Sequence, residues 1–266
     1  MRPNQALGRF WHAVATADDG VLMRGAFFGL LATAAVFLVI DVREIYQTAS
    51  QELPGFDPQR TGQPVLPPAL TDGKPHEAPV QPETDAEVLR QPIRFELKTG
   101  GILSAEGAID PGAAARFAAE IEARGEYVKV ISLNSPGGAV EDALAMSTLI
   151  RDKKLTTRVA KGALCASSCP IVMAGGAVRE AEKDAVIGVH QVFNGGTDRP
   201  SPEQAMSSAQ TATARVARHL DEMGIGSGLW FHALETPPDR LYYLTEAELK
   251  QFKLVTEPPA TARKKS

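Results

Sequence analysis

The chain has 266 residues, 44% hydrophobic and 23% charged, which are globular values and exclude a disordered or collagen-like chain. Its formal net charge of -4 gives no global basic field for nucleic acid, and the only dense basic cluster is the tail Arg263-Lys264-Lys265. Two cysteines are too few for a disulfide scaffold and, alone, for a tetrahedral zinc site, so neither a metal nor a cofactor is expected.

The first informative stretch is the uncharged run Gly25 to Ile40, GAFFGLLATAAVFLVI. As a helix it reaches about 24 Å, slightly short of a bilayer core of about 30 Å. Val21, Leu22 and Met23 extend it, because the stem of Arg24 lets its charge reach the interface. A helix apolar all round needs a domain to surround it, and none adjoins in sequence. The following Asp41-Val42-Arg43-Glu44 suits signal cleavage poorly. Residues 21–41 therefore read as an uncleaved transmembrane anchor. Before the run Gly25–Ile40 lie Arg2, Arg9, Arg24 and the free amine against Asp18 and Asp19, and from 41 to 60 lie Asp41, Glu44, Glu52 and Asp57 against Arg43 and Arg60. This bias places residues 1–20 in the cytoplasm and everything after the anchor outside, on the periplasmic side of an inner membrane.

Residues 42–92 read as a disordered, proline-rich linker. Nine of the chain's 19 prolines fall between 51 and 92, with few aliphatics to offset ordering entropy. Residues 93–257 read as a compact domain, and 258–266 as a disordered tail. Within the domain, strands are expected at Arg94–Leu97, Gly101–Ile109, Tyr127–Leu133, Thr156–Ala160 and Ala185–Val189. Helices are expected over Gly112–Arg124, capped by Asp110 with Pro111 at its first position, over Ala139–Ile150 with Val140, Leu144 and Ile150 inward, after Ser167, and over Pro202–Met223. Alternating strands and helices argue an α/β domain with a largely parallel sheet.

Three segments carry candidate chemistry. Ser135-Pro136-Gly137-Gly138 ends a strand in a glycine turn able to expose backbone N–H groups. Cys165-Ala166-Ser167-Ser168-Cys169 crowds small residues around a serine where a strand meets a helix. Val186-Ile187-Gly188-Val189-His190 ends an apolar strand in a histidine. Each alone is compatible with a turn, a helix cap or a core histidine. His219 and His232 lack metal-ligand spacing and read as structural, His12 precedes the anchor and His76 is in the linker. Trp230, Phe231, Tyr242 and Tyr243 read as core or subunit-contact residues.

Together, the order Ser-Pro-Gly-Gly, then the small-residue serine, then a strand-end histidine 23 residues later resembles the proteolytic subunit of the Clp protease and the wider Clp/crotonase superfamily. It looks closest to a membrane-anchored or periplasmic Clp-like group with a Cys-Ala-Ser-x-Cys motif. The resemblance covers residues 95 to 192 best. It implies a repeated ββα spiral, with Ser167 as nucleophile and His190 as base. The oxyanion donors would be Gly137 or Gly138 and the N–H of Ser168. The family's third triad member, an aspartate, falls on Asp239 by one count and Glu235 by another, which leaves a Ser-His dyad open. The function implied is an ATP-independent serine hydrolase, a peptidase acting on a peptide or protein substrate, in a homo-oligomer with no ATPase partner. Two other classes stay open: an inactive Clp-like binding or scaffold protein, and a crotonase-like thioester enzyme. In an oxidising compartment Cys165 and Cys169 are placed to pair and stiffen the Ser167 loop, with two buried thiols as the alternative.

Overall fold

The computed structural model describes residues 18–50, 65–71, 74–75, 81–193 and 201–256. His12, His76, the basic tail cluster and parts of the proline-rich stretch lie outside the described residues. The chain divides into two units, residues 1–55 and 56–266. The first contains helix α1 (Asp19–Ser50). Over Asp19–Arg43 it is long and apolar enough to cross a membrane, and Phe27, Leu30, Phe37 and Val39 are all exposed.

Among the described residues the second unit holds two larger sheets and one two-stranded hairpin. Strands β3 (Arg94–Lys98), β4 (Ile102–Glu106), β5 (Val130–Asn134), β6 (Thr156–Val159) and β8 (Val178–Ala181) form a five-stranded sheet in the order β3-β4-β5-β6-β8. All its pairs are parallel except β3–β4. Strands β7 (Leu164–Ala166), β9 (Val186–Val189) and β10 (Tyr242–Tyr243) form a second sheet, with β7 and β9 parallel and β10 antiparallel to β9. The chain alternates between the layers. β6 leads into β7 and β8 into β9. The residues just after β4 and β5 enter the second layer as single bridges, Ile109 to Gly138 and Ser135 to Cys165. A helix then returns the chain to the next long strand: α3 (Ala113–Arg124) to β5, α4 (Val140–Asp152) to β6 and α5 (Cys169–Ala174) to β8, while α6 (Pro202–Glu222) follows β9 and leads into the C-terminal segment. The result is a mixed α/β unit with a mostly parallel sheet.

Its core follows from local patterning. In β5 the alternation Val-Ile-Ser-Leu-Asn sends Ile131 and Leu133 inward, and α3 contributes Phe117 and Ile121 from one face. Each such side chain removed from water contributes about 1.5–3 kcal/mol. On α4 the fully buried residues are Ala143, Met146, Ser147 and Ile150, while the expected Val140 and Leu144 are half-buried. The helix is rotated because its polar Ser147 is satisfied inside, hydrogen-bonded to Nε2 of His219 on α6 at 2.7 Å. His219 is thus structural, as is His232, whose ring stacks on Tyr242 with centroids 3.9 Å apart. Phe231 is exposed, and Tyr242 and Tyr243 are buried.

Two local expectations give way. Helix α3 starts two residues later than the Asp-Pro pair suggests, with Gly112 at φ +89 as its N-cap. Asp110 is committed elsewhere: its carboxylate accepts from Arg116 at 2.5 Å and from the Ile93 N–H at 3.3 Å. The folded unit also begins well before residue 93. Leu66 and Ala69 are buried, the Tyr243 hydroxyl donates to Leu66 O at 2.6 Å, and the Leu241 N–H donates to Pro67 O at 3.0 Å. A short hairpin of β1 (Leu70–Thr71) and β2 (Lys74–Pro75) follows. Helix α2 (Ala86–Arg90), capped by Asp85, buries Leu89 completely. Proline forbids helix interiors, yet it permits extended edge segments whose carbonyls are used, which is how residues 66–69 attach. The chain closes with α7 (Ser227–Glu235) and α8 (Glu246–Gln251) around β10.

Candidate active site

The register of two short strands brings the candidate residues together. β7 and β9 pair Leu164 with Val186, Cys165 with Ile187 and Ala166 with Gly188. Ser167 lies one residue beyond the last pair and His190 two residues beyond it, at the same C-terminal edge of neighbouring parallel strands. Such strands run about 4.8 Å apart, and open α/β sheets place their sites at this edge.

Ser167 has φ +59, in the left-handed region that a non-glycine residue rarely enters. Its N–H donates to Gly188 O at 3.0 Å, which fixes the serine to the strand carrying His190. Ser167 is half-buried and Ser168 only 2% exposed, so of the two hydroxyls Ser167 is the accessible one. The Oγ of Ser168 is buried and has no hydrogen-bond partner among the described residues. Cys165 and Cys169, on either side of the pair, are joined by a disulfide with Cα atoms 5.1 Å apart.

The glycine turn packs directly on this bend. A Cβ on Gly137 would lie 2.6 Å from Ala166 O and 2.8 Å from the Ser168 N atom, and Gly137 itself has φ +93. The turn is organised by Ser135, whose buried Oγ accepts the Gly137 N–H at 3.1 Å. The Ile109 N–H donates to Gly137 O and the Ala139 N–H to Ile109 O, at 2.8 and 2.6 Å. Among the described residues the N–H groups of Gly138 and Ser168 donate to nothing. Gly137 is therefore occupied and Gly138 is the donor left open. Sequence reasoning missed the bracing roles of Ser135 and of Gly188 O. The serine beginning Ser-Pro-Gly-Gly was the available signal for the first, and a backbone carbonyl gives none for the second.

His190 is 6% exposed, and burial lowers its pKa to about 4, so the ring is neutral at pH 7. Its Nδ1 is buried without a hydrogen-bond partner among the described residues, and its ring lies 5.6 Å from that of Phe193. Glu235 at the end of α7 and Asp239 in the following turn are both exposed. Neither makes a hydrogen bond or ion pair with His190 among the described residues, and burial alone accounts for the lowered pKa. The segment does run alongside: Gln191 receives no side chain from it, but its N–H donates to Thr236 O at 3.0 Å and its Nε2 to Leu234 O at 2.6 Å. Ser167, His190, Gly138 and the Ser168 amide thus share the edge of the β7–β9 pair, with no hydrogen bond between Ser167 and His190 among the described residues, and neither carboxylate joins them.

These residues line one cavity of about 840 Å³. Ile171, Leu229 and Trp230 make its floor apolar, and α6 supplies a wall of small side chains, Ala205, Ala209 and Ala212. Helix α6 is fixed by a capping box at Ser201 and Gln204 and by a bidentate ion pair, Arg215 with Glu141, at 2.6 Å for each bond. Among the described residues no cluster of three or more His, Cys, Asp or Glu could hold a metal.

No protein-family model matches the chain, and no curated protein matches it. Among solved structures it is similar to a point mutant of ClpP1 from Listeria monocytogenes, at 18% sequence identity and a TM-score of 0.47, over 59% of this chain and 89% of that one. A reachable hydroxyl, a neutral imidazole at the neighbouring strand end and two open backbone donors are the parts that acyl transfer uses.

Proposed function

We propose that the chain is a membrane-anchored serine hydrolase, a peptidase that works without ATP. Ser167 attacks the substrate carbonyl and His190 takes its proton. The N–H groups of Gly138 and Ser168 receive the oxyanion, and His190 returns the proton to the leaving group. The observation that carries this reading is Ser167 at φ +59, hydrogen-bonded to Gly188, two residues before His190. A serine is held in a backbone state natural to glycine only where its surroundings overdetermine it, and such sites cluster where chemistry is done. With no carboxylate on His190 among the described residues, the machinery is a Ser-His dyad, with Asp239 or Glu235 as third member only if the segment after α7 shifts. The anchor is α1, with the N-terminus cytoplasmic and residues 56–266 outside, in the periplasm or its equivalent, and the working form is a homo-oligomer.

The test is labelling of the detergent-solubilised full chain with a fluorophosphonate. Modification at Ser167, lost in Ser167→Ala and in His190→Ala, supports the hydrolase. Absence of labelling in a folded parent protein favours a second reading, a binding protein without turnover. The Nδ1 of His190 speaks for that reading, since among the described residues an imidazolium formed there has no acceptor to stabilise it.

A further inference from the structure

We infer that the Cys165–Cys169 disulfide is the positioning element of the nucleophile, and that it makes Ser167 reactive only in the oxidised protein. The inference rests on Ser167 being the nucleophile. The bridge closes a ring around three residues, Ala166, Ser167 and Ser168, at the point where β7 stops and α5 begins. Residues four apart in an extended strand lie about 13 Å apart, so Cα atoms at 5.1 Å require the chain to turn back inside the ring. Ser167 makes that turn, at φ +59. Glycine would adopt this conformation readily, but glycine has no hydroxyl. The sequence therefore places at the bend a residue that resists it, and something else must hold it.

Three restraints do so: the Ser167 N–H to Gly188 O hydrogen bond, the packing of Gly137 against the bend, and the bridge. Only the bridge is covalent, and it is the one that exists or not according to the redox state. Opened, it lets Ser167 relax toward negative φ. That rotation turns the Cβ of Ser167 and the N–H of Ser168 together, so nucleophile and oxyanion donor are lost in one movement. Both sulfur-bearing residues are fully buried, which shields the finished bridge from reductant.

Formation needs an oxidant, which is a disulfide-bearing thiol oxidant. The thiolate of one cysteine attacks the oxidant's disulfide, giving a mixed disulfide and one oxidant thiolate. The thiolate of the other cysteine attacks the protein sulfur of that mixed disulfide. The Cys165–Cys169 bond forms and the second oxidant thiolate leaves. Two electrons pass to the oxidant, and the two protons lost by the cysteines end on its two thiols. A chain awaiting export in a reducing compartment would thus carry an unassembled site.

The experiment compares the full chain prepared with both thiols free against the same protein after oxidation with oxidised glutathione. It follows fluorophosphonate labelling of Ser167 and amide exchange at Ser167 and at the core residues Ile131 and Leu133. The expected result is labelling slowed about tenfold or more in the thiol form and recovered on oxidation. Exchange should be faster at Ser167 and unchanged in the core. Cys165→Ala/Cys169→Ala should behave as the thiol form, with kcat lowered and KM little changed on any ester substrate found. Labelling rates within about twofold of one another overturn the inference, as does a thiol form whose core amides lose protection along with Ser167. If the oxidised parent is never labelled, the hydrolase reading fails by itself. The exchange rate at Ser167 then still decides: unchanged in the thiol form, it overturns the positioning role, and faster with an intact core, it upholds it.

Discussion

Gly137 is packed so tightly on Ser167 that a Cβ at the glycine would sit 2.6 Å from the Cβ of the serine. The turn at φ +93 and the bend at φ +59 are two left-handed residues braced against one another. Gly137→Ala meets both the steric cost of its backbone and a collision with Ala166 O at 2.6 Å. The expected loss of stability is about 2–5 kcal/mol, from left-handed strain and overpacking together. Labelling of Ser167 should slow by about a hundredfold, because relief comes by pushing Ser167 and the Ser168 amide away. Urea unfolding and probe kinetics measure the two. An alanine protein as stable and reactive as the parent would mean that the turn and the bend do not brace each other.

The larger elements were legible because their patterns are strong. Val130–Asn134 alternates and Pro202–Glu222 has a helical stripe with a capping box, so both were recognisable from local residue types. Strand β7 was not, because Leu164–Ala166 is three buried residues with neither alternation nor β-branching. Strand β8 carries Arg179 and Glu180. Arg179 is nonetheless buried, donating to Gly176 O and Lys253 O, and nothing in a charged dipeptide announces that. Residues 65–69 read as spacer because proline content reports what a segment cannot form. It is silent on the neighbour, Leu241, that takes up its backbone groups. At the site, the residue types were visible at Gly138, Ser167 and His190. The left-handed serine was not, since it is imposed by the bridge, Gly137 and Gly188 rather than by its own preference.

The pH response follows from His190. With its pKa lowered to about 4 by burial, the ring is neutral and able to act as base throughout the neutral range. The rate of Ser167 labelling should therefore be flat from pH 8 down to about 5.5 and reach half near pH 4. A half-point near 6.5 would show a solvated or acid-paired histidine instead. The stability effect has a definite sign. Below about pH 6.5 the unfolded chain binds a proton that folded His190 refuses until about pH 4. This contribution is thus intact above 6.5 and lost progressively between 6.5 and 4, by up to about 3 kcal/mol. His219, also lowered by burial, adds a slope of the same sign. The comparison that isolates His190 is parent against His190→Gln, whose stability should decline less over that window.

The carboxylates give a third expectation. Because neither Glu235 nor Asp239 contacts His190, Asp239→Asn and Glu235→Gln should each leave the Ser167 labelling rate within about threefold of the parent. Loss of the acid from a working triad costs about ten-thousandfold. A drop of a hundredfold or more in either variant would identify a third member that reaches His190 only after the segment beyond α7 moves.

Topology is testable independently of chemistry. The apolar helix between Asp19 and Arg43, with arginines before it and carboxylates after it, should place residue 92 outside the cytoplasm. Alkaline phosphatase, which folds actively only outside, should be active when fused after residue 92. Activity of a cytoplasm-only reporter at the same position would reverse the orientation.

The two adjacent serines separate nucleophile from neighbour. Ser167→Ala should abolish labelling and hydrolysis while leaving the fold intact, since its hydroxyl makes no hydrogen bond among the described residues and its backbone is held by Gly188 and the bridge. Ser168 is different in kind. Its proposed role in the site is its N–H, which alanine keeps, and its Oγ is a buried donor and acceptor with no partner among the described residues. An unpaired buried polar group costs about 1–3 kcal/mol, so Ser168→Ala removes a penalty instead of an interaction. The expected outcome is a protein as stable as the parent or more stable by about 1 kcal/mol, still labelled at Ser167 within about threefold of the parental rate. Thermal unfolding and labelling kinetics on the same two preparations decide it. If Ser168→Ala is inert and Ser167→Ala still reacts, the nucleophile is Ser168. In that case the left-handed bend at Ser167 serves only to turn its neighbour toward His190.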